Sequence, residues 1–172
     1  SRGLAGSLLG VGLIAAFFVG RGAGPPPRDH GAMDIQRRTF RSQAIFAARF
    51  LHDSKSLVLS AAPTGNRPRL YLLRADSPEP QPVGPDDVHL LAVSSRGELA
   101  VLDHARFTGH HRLFTGTLAR MPLEGAAPRA LMENVREADW SPDGGKLAVI
   151  HELSGKDRLE FPAGKVLHET AG

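Results

Sequence analysis

From Arg37 onward, short hydrophobic runs alternate with clusters of turn residues. Three of these runs share one pattern, in which an apolar or aromatic residue precedes a polar turn and a second apolar run follows the turn. The copies occupy residues 48–59, 91–101 and 138–149. Phe50, Val93 and Trp140 hold the same place in the three copies, at steps of 43 and 47 residues. The pattern predicts a repeated unit of strand, turn and strand.

The turn of the third copy has a physical explanation. Pro142 presets one backbone angle, Asp143 can accept hydrogen bonds from its own backbone, and Gly144 accepts a positive φ. The first copy keeps the carboxylate as Asp53, and the second keeps the glycine as Gly97. We therefore interpret both aspartates as turn residues and not as catalytic carboxylates.

Each copy is followed by a second element of strand, turn and strand with proline or glycine at the turn, at 69–83, 117–131 and 158–167. A period in the forties with four strands per unit is typical of β-propeller blades. The sequence predicts an all-β fold over residues 37–172. This fold is a partial, unclosed propeller of about three four-stranded blades, at 40–88, 89–135 and 136–172. Propellers typically use four to eight blades, so we expect a fragment of a longer protein.

The first 21 residues follow a different pattern. Gly3 to Gly20 contains no charged residue and has an arginine on either side. Eighteen helical residues span about 27 Å, close to the roughly 30 Å hydrocarbon core of a bilayer. The sequence predicts a transmembrane helix over 1–21, in which Gly6 and Gly10 allow a helix-mediated dimer. The alternative interpretation is a signal peptide.

Residues 22–36 are rich in glycine and proline and have neither a helical nor an alternating period. They predict a semi-extended linker that holds the propeller off the membrane. Arg37, Arg38 and Arg41 follow this linker. They suit either a contact with lipid headgroups or the solvated face of the first strand.

Composition limits the chemistry available to the 172 residues. The chain is 41% hydrophobic and 23% charged, has a formal net charge of +3 and contains no cysteine. These values suit a folded domain and exclude disulfides and thiolate metal sites. Asp103, His104, His110 and His111 are the densest group of metal-binding residue types, but adjacent residues of a strand face opposite sides. We expect no metal, no cofactor and no nucleic-acid partner.

Several short segments resemble sequences from one protein group. This group is the WD-like, TolB-type propeller region of bacterial membrane-anchored, eukaryote-like serine/threonine protein kinases. They lie at 38–40, 48–50, 90–94, 116–120, 138–144 and 158–167. The resemblance implies a cytoplasmic kinase domain before Ser1, a single inner-membrane helix and a propeller outside the cytoplasm. The chain itself has no glycine-rich phosphate loop, His-Arg-Asp motif or Asp-Phe-Gly motif, so no catalytic residue is assigned.

The function expected from this plan is that of a membrane-tethered sensor or interaction propeller in signal transduction. It would bind a protein or a small molecule at the propeller face. Trp140 could stack on such a ligand, but packing in the core is the favoured interpretation. Two alternatives stay open. One is the propeller of a prolyl-oligopeptidase-type hydrolase, although the chain has no Gly-x-Ser-x-Gly. The other is the propeller of a membrane-tethered transcription regulator.

Overall fold

A computed structural model describes residues 43–65, 67–77, 79–109 and 114–171. All regular structure in these residues is β. The eleven strands are β1 (Ala44–Phe50), β2 (Leu57–Ala62), β3 (Arg69–Leu73), β4 (Gln81–Asp86), β5 (His89–Val93), β6 (Glu98–Phe107), β7 (Phe114–Pro122), β8 (Arg129–Trp140), β9 (Leu147–Leu153), β10 (Lys156–Glu160) and β11 (Val166–Ala171).

The predicted membrane helix, the linker and the arginines at 37, 38 and 41 lie outside the described residues. Within the described part of the chain, no helix has the length and hydrophobicity needed to cross a bilayer.

The strands form two antiparallel sheets. The first contains β1 to β4 in chain order, and the second contains β11 to β5 in reverse chain order. Strand β8 is unusual because its two ends pair with different strands. Arg129 pairs with Arg120 of β7, whereas Trp140 pairs with Leu147 of β9. The seven-stranded sheet is therefore two four-stranded units that share one long strand.

The first strands of the successive units lie side by side. Strand β1 contacts β5, and β5 contacts β8, although the pairs are not hydrogen-bonded as neighbours in a sheet. This is the arrangement expected of inner strands around a common axis. The described strands do not close into a ring, and the blade boundaries given above remain a prediction.

Two hydrophobic cores lie on opposite sides of β6. Leu99 and Val101 belong to the first core, which joins the first sheet to the second unit. Ala100 and Leu102 belong to the second core, which joins the second unit to the third. All four residues are fully buried. Because side chains of a strand alternate between its two faces, a continuous apolar run lets β6 support both cores.

The three repeat turns share one pattern of backbone hydrogen bonds. In each, the first residue donates its N–H to the carbonyl of the last residue. The donors, acceptors and distances are Leu51 to Ser56 at 2.9 Å, Ser94 to Glu98 at 2.7 Å, and Ser141 to Lys146 at 2.8 Å. The second turn is one residue shorter than the others but closes in the same way.

The same turns also share a left-handed residue. It is Ser54 in the first turn, Gly97 in the second and Gly144 in the third, with φ values of 54°, 82° and 66°. Glycine reaches this conformation without the steric cost that a Cβ atom imposes. The first copy thus adopts the common turn geometry even though serine replaces glycine.

Candidate functional site

The antiparallel strands give the propeller segment two distinct faces. The turn face carries the repeat turns at 51–56, 94–98 and 141–146. The opposite end, which we term the crossover face, carries the β2–β3 loop, the β4–β5 link at 87–88 and the bulged part of β6. The repeat that the sequence reveals therefore lies mainly on one face.

A cavity of about 760 Å³ opens on the crossover face. Its volume lies within the range of roughly 300–1,000 Å³ that small-molecule sites occupy. Its wall combines the β2–β3 loop, the β4–β5 link and parts of β6, β7 and β8. The lining residues are Arg67, Asp87, His104, Ala105, Arg106, Phe107, Gly116, Thr117, Glu133 and Asn134.

The backbone around this crossover cavity is irregular. Asp87, His104 and Asn134 have φ values of 60°, 53° and 56°. The pairing register of β6 also shifts between Asp103 and Arg106. Aspartate, asparagine and histidine are the non-glycine residues that adopt this conformation most readily. Bulges of this kind re-aim side chains and are frequent beside binding and active sites.

Gly116 allows the strands to approach closely at the bulge. A Cβ atom on this residue would lie 2.7 Å from the Asp103 carbonyl oxygen and 3.2 Å from the Leu102 Cβ. Neither neighbour is the end of a flexible side chain. A larger residue would therefore displace β6 and change the shape of the crossover cavity.

One ion pair and two unpaired charges line the cavity. Arg67 donates to Asp87 through Nε at 2.9 Å and through Nη2 at 2.6 Å. These bonds and the charge of Asp87 raise the pKa of Arg67. Arg106 and Glu133 form no ion pair with any residue that the structure describes. Within that part of the chain, the cavity therefore offers a free cation and a free anion.

An aromatic cluster connects the cavity to the interior. Phe107 lines the cavity and packs on Phe114, with ring centroids 5.6 Å apart. Phe114 stacks on His89 at 4.5 Å, and His89 Nδ1 lies 2.8 Å from Ser60 Oγ of the first sheet. Burial, with a smaller contribution from the charge of Arg49, lowers the pKa of His89 to about 4. A neutral histidine thus bridges the two sheets at neutral pH.

The three aligned apolar residues lie at the ends of equivalent strands but have different surroundings. Trp140 is 9% exposed and belongs to the second core, and Val93 packs against the first core. Phe50 is 65% exposed, because the described residues include no neighbouring sheet on its side. None of the three lines the crossover cavity.

Both turn aspartates make hydrogen bonds within their own turns. Asp53 accepts from the N–H groups of Lys55 and Ser56, each at 2.8 Å, and from Ser56 Oγ at 2.7 Å. These bonds lower the pKa of Asp53 to about 2, with the Ser56 N–H as the main cause. Asp143 accepts from Ser141 Oγ at 2.5 Å and from the Gly145 N–H at 3.2 Å. Pro142 lies between Ser141, which donates this bond, and Asp143, which accepts it.

The candidate metal residues are only partly described. Asp103 Oδ2 lies 3.2 Å from His104 Nδ1, and His104 lines the crossover cavity. His110 and His111 lie outside the described residues. In the remainder, no three potential metal-binding side chains come together.

Sequence reasoning missed the crossover cavity, although one signal was present. Asp87 and Asn134 each lie six residues before an aligned apolar residue, Val93 and Trp140 respectively. Both are left-handed, and each precedes a fully buried valine. A short polar residue with this conformation, recurring at the repeat period, marks the point where one unit passes to the next.

Comparison with solved structures defines the class of fold. The crystal structure of TolB from Acinetobacter baumannii is similar over 72% of this chain and 32% of the TolB chain, with 18% identity and a TM-score of 0.52. The β-propeller domain of the Trilobed protease from Pyrococcus furiosus, described as having an open velcro topology, matches 74% of this chain and 42% of its own, with 13% identity and a TM-score of 0.46. No protein-family profile and no curated protein sequence matches.

The fold is therefore that of a β-propeller segment. More particularly, its strands follow the TolB-type propeller, of which the chain spans about a third of the length. This likeness confirms the all-β propeller fold predicted from the repeat. It concerns the fold alone.

Proposed function

We propose that the chain is the interaction region of a membrane-tethered signalling protein and that it binds a peptide segment of a partner on its crossover face. The crossover cavity carries this proposal. Among the described residues, its wall presents Arg106 and Glu133 without ion-pair partners, beside the half-exposed aromatic ring of Phe107. A peptide can satisfy all three groups, because it can bear charges of both signs and an apolar side chain.

A peptide-display selection against the whole chain in detergent micelles tests this proposal. We expect selected peptides to carry both signs of charge, and we expect Arg106→Gln and Glu133→Gln each to weaken their binding by about tenfold. Arg74→Gln is the matched control, because Arg74 is an exposed arginine on the turn face. Selected peptides that bind all three variants as tightly as the unaltered chain would contradict the proposal, as would a selection that yields no binders.

The proposed tether is supported by the uncharged segment from Gly3 to Gly20, by the linker that follows it and by the resemblance to membrane-anchored serine/threonine kinases. In this proposal the propeller lies outside the cytoplasm of a bacterial cell and a kinase domain precedes Ser1. Gly6 and Gly10 would join two helices, so that partner binding changes their association.

Alkaline extraction of bacterial membranes tests the tether. The unaltered chain is expected in the pellet, whereas Ile14→Arg, which places a charge in the apolar segment, is expected to shift a large share to the supernatant. Ala23→Arg in the linker is the control and is expected to stay in the pellet. Release of the unaltered chain by alkali would refute the tether.

A further inference from the structure

A second cavity, the turn-face cleft, lies between the second and third four-stranded units. It has a volume of about 420 Å³ and is bounded by β7, β8, β9 and the β10–β11 turn. The residues that matter for its chemistry are Arg120, Lys146, Leu131, Met132, Leu147 and Pro162. Among the described residues, it shares no lining side chain with the crossover cavity.

The charge in this cleft has a single sign. Arg120 and Lys146 line it, and none of the described residues in its wall is acidic. The carboxylate paired with Arg120 is that of Glu98, at 3.7 Å, which is beyond ordinary hydrogen-bond distance. Lys146 forms no ion pair with the residues that the structure describes. The wall of the cleft is therefore positively charged, and the carboxylates that act on Arg120 and Lys146, those of Glu98 and Asp143, lie outside it.

Arg120 is held in place by an aromatic ring. Its guanidinium carbon lies 4.7 Å from the centroid of Trp140, which is itself buried in the second core. A cation stacked on indole loses side-chain freedom before any ligand arrives. The guanidinium is thus preorganised to receive a planar anion.

The stacked pair also lacks acceptors. Arg120 Nε and Trp140 Nε1 are both buried, and neither has a hydrogen-bond partner in the described part of the chain. Buried donors without acceptors are rare because each retains the cost of its desolvation. Trp140 does not line the cleft and both nitrogens are inaccessible from it, so the argument for an anionic ligand rests on the charge of the wall and on the stacked position of the Arg120 guanidinium.

The remaining wall is apolar. Leu131 is 45% exposed, and Met132, Leu147 and Pro162 complete the surface. We propose that the turn-face cleft binds a small carboxylate with an apolar body. The carboxylate pairs with the Arg120 guanidinium and the Lys146 ammonium, and the body covers Leu131 and Met132.

Trp140 supplies a direct readout, because it is the only tryptophan in the chain. We would titrate the whole chain with 3-phenylpropionate and follow Trp140 fluorescence, with 3-phenylpropanamide as the uncharged control. A saturable change with a dissociation constant on the order of 1 mM is expected for the acid. A response at least tenfold weaker is expected for the amide. Equal responses to acid and amide would overturn the proposal, as would the absence of saturation by the acid.

Arg120→Met is expected to abolish the response, and Arg74→Met, which makes the same change in net charge, is expected to preserve it. If Arg120→Met disturbs the packing of Trp140, Lys146→Met serves instead, since Lys146 is exposed. At least threefold weaker binding by Lys146→Met is expected, and unchanged binding would overturn the proposal. These readouts involve neither Arg106 nor Glu133, so failure here is distinguishable from failure of peptide binding at the crossover face.

Discussion

The same strands form both faces of the propeller segment, but the two faces differ in how regular their backbone is. On the turn face, the second and third repeat turns bond to each other: Ser95 Oγ donates to the Pro142 carbonyl at 3.1 Å, and Arg96 Nε donates to the Asp143 carbonyl at 2.8 Å. Around the crossover cavity, which is larger than the turn-face cleft, the register shifts and three non-glycine residues are left-handed. The repeat thus constrains the geometry of the turns and leaves the crossover face less regular.

The largest expected effect comes from breaking the contact between repeat turns. Gly144 has a φ of 66°, and a Cβ atom there would lie 2.7 Å from Ser95 Oγ and 3.0 Å from Arg96 Cγ. Gly144→Ala is expected to lower the free energy of unfolding by about 2–5 kcal/mol, since left-handed strain and overpacking add. Urea denaturation followed by Trp140 fluorescence measures the loss.

Gly97→Ala is the matched control. Gly97 has a φ of 82°, but a Cβ atom there would meet no described atom within 4 Å. Only the conformational cost of about 1–2 kcal/mol is therefore expected. Equal losses for the two variants would show that contact between the turns does not stabilise the turn face.

A somewhat smaller effect is expected from acid near the crossover face. The pKa of His89 is about 4 in the folded state, whereas the ordinary pKa of a histidine is 6.5. Between these values the unfolded chain binds the proton more tightly, so stability is complete above pH 6.5 and falls as the pH drops to 4. The loss is about 3 kcal/mol. The stabilising contribution of Asp53 on the turn face is lost at still lower pH, because the pKa of Asp53 is lowered from 3.8 to about 2.

Urea denaturation at several pH values between 4 and 7 measures this loss. His89→Asn is expected to flatten the profile, because asparagine can still bond Ser60 Oγ but does not titrate in this range. His52→Asn alters an exposed histidine on the turn face and is expected to leave the profile unchanged. Parallel profiles for the unaltered chain and His89→Asn would argue against a role of His89 at the sheet interface.

The smallest expected effect concerns the ion pair at the rim of the crossover cavity. The Arg67 side chain is 82% exposed, so solvent screens its bidentate pairing with Asp87 and the pair is expected to contribute little to the free energy of unfolding. A double-mutant cycle with Arg67→Ala and Asp87→Asn measures the coupling, and asparagine is used because it tolerates the left-handed backbone. A coupling as large as the loss caused by Gly144→Ala would mean that the crossover face is as rigidly specified as the turn face.

The sequence predicted the parts of the fold that the repeat controls. The strands, the hairpins and the turn position shared by Ser54, Gly97 and Gly144 follow from local chemistry, namely alternation, proline and glycine. Burial of Trp140 followed from the same pattern. The exposure of Phe50 did not, because a residue at an equivalent register position is buried only where a neighbouring sheet covers it.

The repeat pattern of the sequence did not predict the two candidate sites. The crossover cavity depends on bulges that appear only when β6, β7 and β8 pair, and it joins Arg67 to Glu133 across two sheets. The turn-face cleft depends on Arg120 meeting Trp140 from another strand. The meeting of Arg120 with Trp140 leaves no periodic trace, and the crossover cavity leaves only the recurrence of Asp87 and Asn134.

The shared strand β8 has a mechanical consequence. Its N-terminal part pairs with β7 and its C-terminal part with β9, and the two ladders meet only at Val135, so a force that passes from β11 to β5 runs through the β8 backbone at this point. The first sheet is joined to the second unit by the link at Asp87 and Val88, by the first core and by the hydrogen bond between Ser60 and His89. Tension along the chain would therefore load the backbone next to the two left-handed residues, Asp87 and Asn134, at which one unit passes to the next.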